Sequence, residues 1–97
     1  MKRFAVQLTV ALLVLVRLPN GAPAKHASVR MTKMGANYQI LSLEVETTNA
    51  AGKAVFNMRP GACLKAEYGR DAQGRPLYIG HVCPGPSDKT ATIDLSK

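Results

Sequence analysis

Cys63 and Cys83 are the only two thiols in the chain, and three chemistries are open to such a pair. A redox couple normally takes the C-x-x-C form at a helix N-terminus, where the thiol pKa falls. These two lie much further apart. A structural zinc site takes paired ligands at short spacing. Cys63, Cys83, His81 and the distant His26 make up a nominal Cys₂His₂ set without that pairing. Met31 and Met34 offer sulfur for copper, but a spacing of three on a strand points them to opposite faces. A disulfide is the chemistry expected of this pair, with no metal and no cofactor.

Little in the chain points to catalysis. Ser28, Ser42, Ser87 and Ser96 lie in no strained turn motif, and only two histidines are present to serve as bases. Glu44 and Glu46 sit two apart, on one strand face, as a paired-carboxylate arrangement would require. On the outer face beside Arg30 they read as solvated surface charge. A small domain also leaves little room for a closed pocket. The chain is therefore not expected to be an enzyme. The basic residues Lys53, Arg70 and Arg75 fall at turns and form a candidate binding rim, reading as solvated turn charge or as a contact for an anionic partner.

The elements that would position these residues begin after an export-like segment. Lys2 and Arg3 precede a 13-residue apolar run at 4–16, and Ala22-Pro23-Ala24 has the A-x-A form of a cleavage site. Cutting after Ala22 would leave Pro23 first, so cleavage is expected after Ala24. The run is too short for a bilayer-spanning helix, which needs about 20 residues. The expected organisation is a signal peptide at 1–24 and a single β domain at 25–97, with no transmembrane anchor in the mature form. Loss of Lys2, Arg3 and Arg17 lowers the net charge from +7 to +4, ten basic against six acidic side chains. So small a core calls for a covalent staple, and an exported chain enters a compartment where thiols oxidise.

After residue 25, Gly and Pro punctuate short alternating runs, the pattern of an all-β sandwich or a partly open barrel. Six antiparallel strands in a near-meander are expected, at 27–34, 38–47, 53–59, 62–69, 76–83 and 89–96. Joining the first two through Gly35-Ala36-Asn37 opposes Met31 to Leu41, Val29 to Leu43 and Ala27 to Val45 on one apolar face. At Asn49-Ala50-Ala51-Gly52 two rules compete. A type I turn with a glycine bulge pairs Asn49 with Lys53 but sets Phe56 against Glu46. A four-residue loop pairs Val45 with Phe56, and burial worth about 1.5–3 kcal/mol per large apolar side chain favours that second choice.

The second long hairpin is better determined. With Asp71-Ala72-Gln73-Gly74 as a type I turn plus bulge, all pairs are symmetric about Gln73. Cys63 then faces Cys83, Tyr68 faces Tyr78, Leu64 faces Val82 and Lys65 faces His81. Leu64, Ala66, Tyr68, Tyr78, Gly80 and Val82 form an apolar face, with Lys65, Glu67, His81 and both cysteines on the other. A disulfide there stabilises by about 3 kcal/mol in the chain-entropy model. Pro76 lands at a non-hydrogen-bonded site at a sheet edge. In the last strand Ala91, Ile93 and Leu95 face in.

The two turn spellings, Asn49-Ala50-Ala51-Gly52-Lys53 and Asp71-Ala72-Gln73-Gly74-Arg75, resemble those of transthyretin-like and immunoglobulin-like secreted domains. That resemblance implies a general architecture and no function. The expected role is a non-catalytic periplasmic or secreted protein, an accessory, inhibitor, immunity or assembly factor. It would bind another protein through loop ends or a strand edge. One alternative is a binder of anionic surfaces (lipopolysaccharide, an acidic protein or nucleic acid) through Lys53, Arg70 and Arg75. Nucleic acid is the least expected of these, since no aromatics interleave with the cations. A redox or metal-binding periplasmic protein is the other alternative.

Overall fold

The computed structural model describes residues 10–97. Alternating apolar residues build seven strands: β1 (Val10–Arg17), β2 (Ser28–Met34), β3 (Ile40–Thr47), β4 (Lys53–Met58), β5 (Cys63–Arg70), β6 (Pro76–Val82) and β7 (Thr90–Asp94). They form two sheets, β4-β1-β7 and β3-β2-β5-β6, so the fold is an open two-sheet arrangement and not a closed barrel. Among the described residues no helix is long and apolar enough to cross a membrane.

The core lies between the sheets. Leu12, Val14 and Val16 of β1 and Ala54 and Phe56 of β4 meet Val29 and Met31 of β2 and Leu64 and Ala66 of β5, all buried. Ile93 and Leu95 close the far side, as the alternation in the last strand predicts. Phe56 is fully buried and is the largest such side chain. At the β6–β7 rim, Ile79 and Ser96 exchange two backbone hydrogen bonds of 2.9 Å. Gly80 permits this closeness, because a Cβ there would lie 2.7 Å from Ile93 Cγ2.

The boundary expected at Lys25 falls inside the folded body. β1 is the central strand of its sheet, antiparallel to β4 and parallel to β7. The segment after it is stitched in as well. Ala24 is fully buried, and its N–H donates to Val16 O at 2.9 Å. The buried hydroxyl of Thr48 donates to Ala24 O and accepts from Ala27 N–H at 2.7 Å. A chain cut after Ala24 would lack β1 altogether. Lys2, Arg3 and the first part of the apolar run lie outside the described residues.

The expected near-meander of six strands is corrected by β1. β4 does not pair with β3; it crosses to the other sheet and pairs with β1 from Val10↔Met58 to Leu15↔Lys53. The turn is the type I turn with a glycine bulge rather than the four-residue loop. Asn49 N–H donates to Lys53 O and Gly52 N–H to Asn49 O, both at 2.9 Å, with Gly52 at φ +73°. The objection to this turn assumed that Phe56 and Glu46 share one sheet, and they do not.

The β2–β3 register also differs. Met34 pairs with Ile40, Lys33 with Leu41 and Thr32 with Ser42. A bulge at Leu43 then brings Glu44 opposite Met31, Val45 opposite Arg30 and Glu46 opposite Val29. The expected Met31–Leu41, Val29–Leu43 and Ala27–Val45 pairs do not form. The physical reason is that β1 already fills the volume Val45 was needed for. The bulge keeps Leu43 against the core, while Val45 is left 50% exposed. The β5–β6 hairpin holds as expected, with Leu64↔Val82, Lys65↔His81, Ala66↔Gly80 and Tyr68↔Tyr78 in register.

Candidate functional site

The turn chemistry of the β5–β6 hairpin places both cysteines at its open end. Cys63 and Cys83 form the expected disulfide, with Cα atoms 4.2 Å apart. That is nearer the ~4.5 Å of a non-hydrogen-bonded antiparallel pair than the ~5.5 Å of a hydrogen-bonded one. The bridge sits on the outer face with Lys65 and His81, Cys63 half-buried and Cys83 exposed. Among the described residues no three His, Cys, Asp or Glu side chains converge as metal ligands.

The candidate rim residues have different surroundings. Thr47 and Glu67 both lie across from Ser28, so the turns after β3 and β5 leave the sheet at one end. Arg70 donates to Gly74 O at 2.9 Å and pairs with Glu67 at 3.5 Å. Arg75 pairs with Asp71 at 3.5 Å, and Asp71 also accepts the backbone N–H groups of Gln73 and Arg75. Lys53 opens β4 in the other sheet, and no hydrogen bond or ion pair joins it to either arginine among the described residues. Both arginines are thus neutralised locally by the acids of their own hairpin.

Glu44 and Glu46 do not share the outer face with Arg30. The bulge sets them opposite Met31 and Val29, at the rim beside β4. Partial desolvation raises the Glu44 pKa above its ordinary value, and a hydrogen bond and charge repulsion from Glu46 add to this, while Arg59 opposes it.

Two further features emerge only from the topology. The first is the edge of β3, which among the described residues has β2 on one side and no strand on the other. Its hairpin end exposes Tyr38 (86%), Ile40 (73%) and Met34 (59%). Tyr38 also sits at φ +58°, unusual for a bulky residue.

The second is a row across the outer face of the four-stranded sheet: Val45, Arg30, Lys65 and His81 are successive cross-strand partners. A groove of about 250 Å³ runs beside this row, walled by Arg30, Lys65, Glu67 and Arg70 with Ser28 and Thr32 between them. Arg30 and Lys65 were missed as site residues. Each reads as an outward residue of its own hairpin, and only the β2–β5 pairing puts them side by side. No family model matches the chain, and no curated protein matches it.

Proposed function

We propose that this domain is a non-catalytic protein-binding accessory of the periplasm or extracellular space, and that it takes its partner along β3. One observation carries the reading: β3 is a sheet edge with exposed apolar side chains at Ile40, Leu41 and Val45. Such an edge offers a row of backbone donors and acceptors to an added strand, and alternate side chains supply specificity. Glu44 and Glu46 on the same strand are the kind of charge that keeps an open edge from pairing indiscriminately. The disulfide supports an oxidising compartment. The working form in this reading retains residues 10–24, since the sandwich is built around β1.

A photo-crosslinking residue at Ser42, in β3, tests the proposal in the native host. The expected result is a single predominant protein adduct that is absent when the probe replaces Asn57 on β4 instead. Equal labelling from both strands, or none from β3, overturns it. Intact mass of the purified protein tests the retained segment: a chain beginning at Lys25 would remove that part of the reading.

A further inference from the structure

We propose that the groove on the outer face of the β3-β2-β5-β6 sheet binds a phosphate monoester. This site adjoins the β3 edge, with which it shares Ile40, but its charged residues lie on β2 and β5. The first argument is electrostatic. Arg30 and Lys65 are direct cross-strand partners, and His81 faces Lys65 from the other side. Like charges placed directly opposite one another destabilise a sheet, and an arriving anion relieves that repulsion. Glu67 is the one acid in the groove, and it is engaged by Lys65 at 3.9 Å and by Arg70 at 3.5 Å. Arg30 has no ion-pair partner among the described residues. Three permanent cations therefore meet one carboxylate, leaving two uncompensated positive charges.

The donor set gives the second argument. Arg30 presents a planar fork and Lys65 a point charge, and Ser28 and Thr32, two residues to either side of Arg30 on β2, line the same groove. A guanidinium and an ammonium side by side across the β2–β5 pairing, with hydroxyl residues on the same groove, suit a tetrahedral oxyanion, whose several oxygens each accept a short, charge-assisted bond. A doubly charged ester matches the local excess; a carboxylate answers half of it.

Size and surroundings narrow the carrier. A groove of about 250 Å³ holds an oxyanion with a carrier no larger than a sugar ring. Ile40 forms one wall and offers the carrier an apolar surface. Stacked bases have no platform here, because Tyr68 and Tyr78 pack toward the core.

The test is a titration of the oxidised full-length protein by amide NMR, with inorganic phosphate, glucose 6-phosphate, acetate and uncharged glucose as probes. Saturable shifts are expected in β2 around Arg30 and in β5 around Lys65, with glucose 6-phosphate tightest and glucose inert. Arg30→Gln and Lys65→Gln should each weaken binding about tenfold, the loss of one charge-assisted bond. Lys89→Gln, away from this face, should leave it unchanged. Shifts spread evenly over Lys53, Arg75 and Lys89, or affinities indifferent to Arg30→Gln, overturn the proposal. The spectrum of each variant reports its folding directly. Sedimentation with phosphatidic acid vesicles separates the sources of the monoester: co-sedimentation lost in Arg30→Gln assigns a lipid headgroup, and glucose 6-phosphate binding without it assigns a soluble ester.

Discussion

β1 and the β5–β6 hairpin are held in opposite ways. The hairpin pairs with its own sequence neighbour, through a turn whose Asp71 carboxylate accepts the N–H groups of Gln73 and Arg75. β1 pairs with strands far down the chain, antiparallel on one side and parallel on the other. Nothing local to β1 encodes those partners. Turn chemistry fixes a register within its own hairpin, whereas a central strand is specified only by what it buries. β1 contributes core, and the hairpin contributes a clasp.

Deleting residues 1–24 should have the largest effect on stability. The three-stranded sheet loses its centre, and Phe56 and Ile93 lose Leu12, Val14 and Val16 as neighbours on the core side. That loss rivals the ~5–15 kcal/mol total stability of a small domain. The expected outcome is no cooperative urea transition; a 25–97 fragment with dispersed amide spectra would show that the hairpin sheet suffices alone. Next in size, Phe56→Ala should cost about 3–5 kcal/mol in urea unfolding, while Val55→Ala, on the exposed side of the same strand, should stay within about 0.5 kcal/mol.

Removing the clasp is the milder intervention. Cys63→Ser with Cys83→Ser should lower stability by about 3 kcal/mol. Hydrogen exchange sharpens the contrast, because protection should fall first in β5 and β6 and persist in β1. Equal loss in both sheets would mean that the disulfide supports the whole sandwich.

The smallest effect concerns Glu44. Its pKa in the folded state is raised above the ordinary 4.5, so the folded state holds the proton more tightly than the unfolded chain. Its stabilising contribution is full below the ordinary value and is lost as pH rises through the folded one. Glu44→Gln should therefore raise Tm slightly at neutral pH, with the gain vanishing in acid. A gain that grows as the pH falls would contradict that sign.

Legibility followed the same division. The hairpin's pairs, its facing sides and its disulfide could all be read from Asp71-Ala72-Gln73-Gly74 and the two cysteines. β1 could not, because a strand buried centrally is apolar on both faces. Leu13 and Leu15 on its outer side make the run continuous, as in an export signal. Setting β1 aside then propagated, since a core without Leu12, Val14 and Val16 demands Val45 and draws β4 onto β3. The candidate site was half visible. Arg70 was named for its turn, but Arg30 and Lys65 become neighbours only through a pairing that no turn announces.

Ala24 has a temporal consequence. Were the Ala22-Pro23-Ala24 spelling used as a cleavage site, the peptidase would have to draw the bond after Ala24 out as an extended, unpaired chain. In the folded domain Ala24 is committed to Val16 and Thr48, so processing and folding compete for the same atoms. The sheet around β1 cannot be completed until β7 has been synthesised, and chains emerge at roughly 5–20 residues per second. A peptidase meeting the nascent chain has seconds in hand; one meeting the finished domain has no substrate. In a host that exports the chain, the N-terminus of the purified protein would then be a clock reading, recording which of the two events came first.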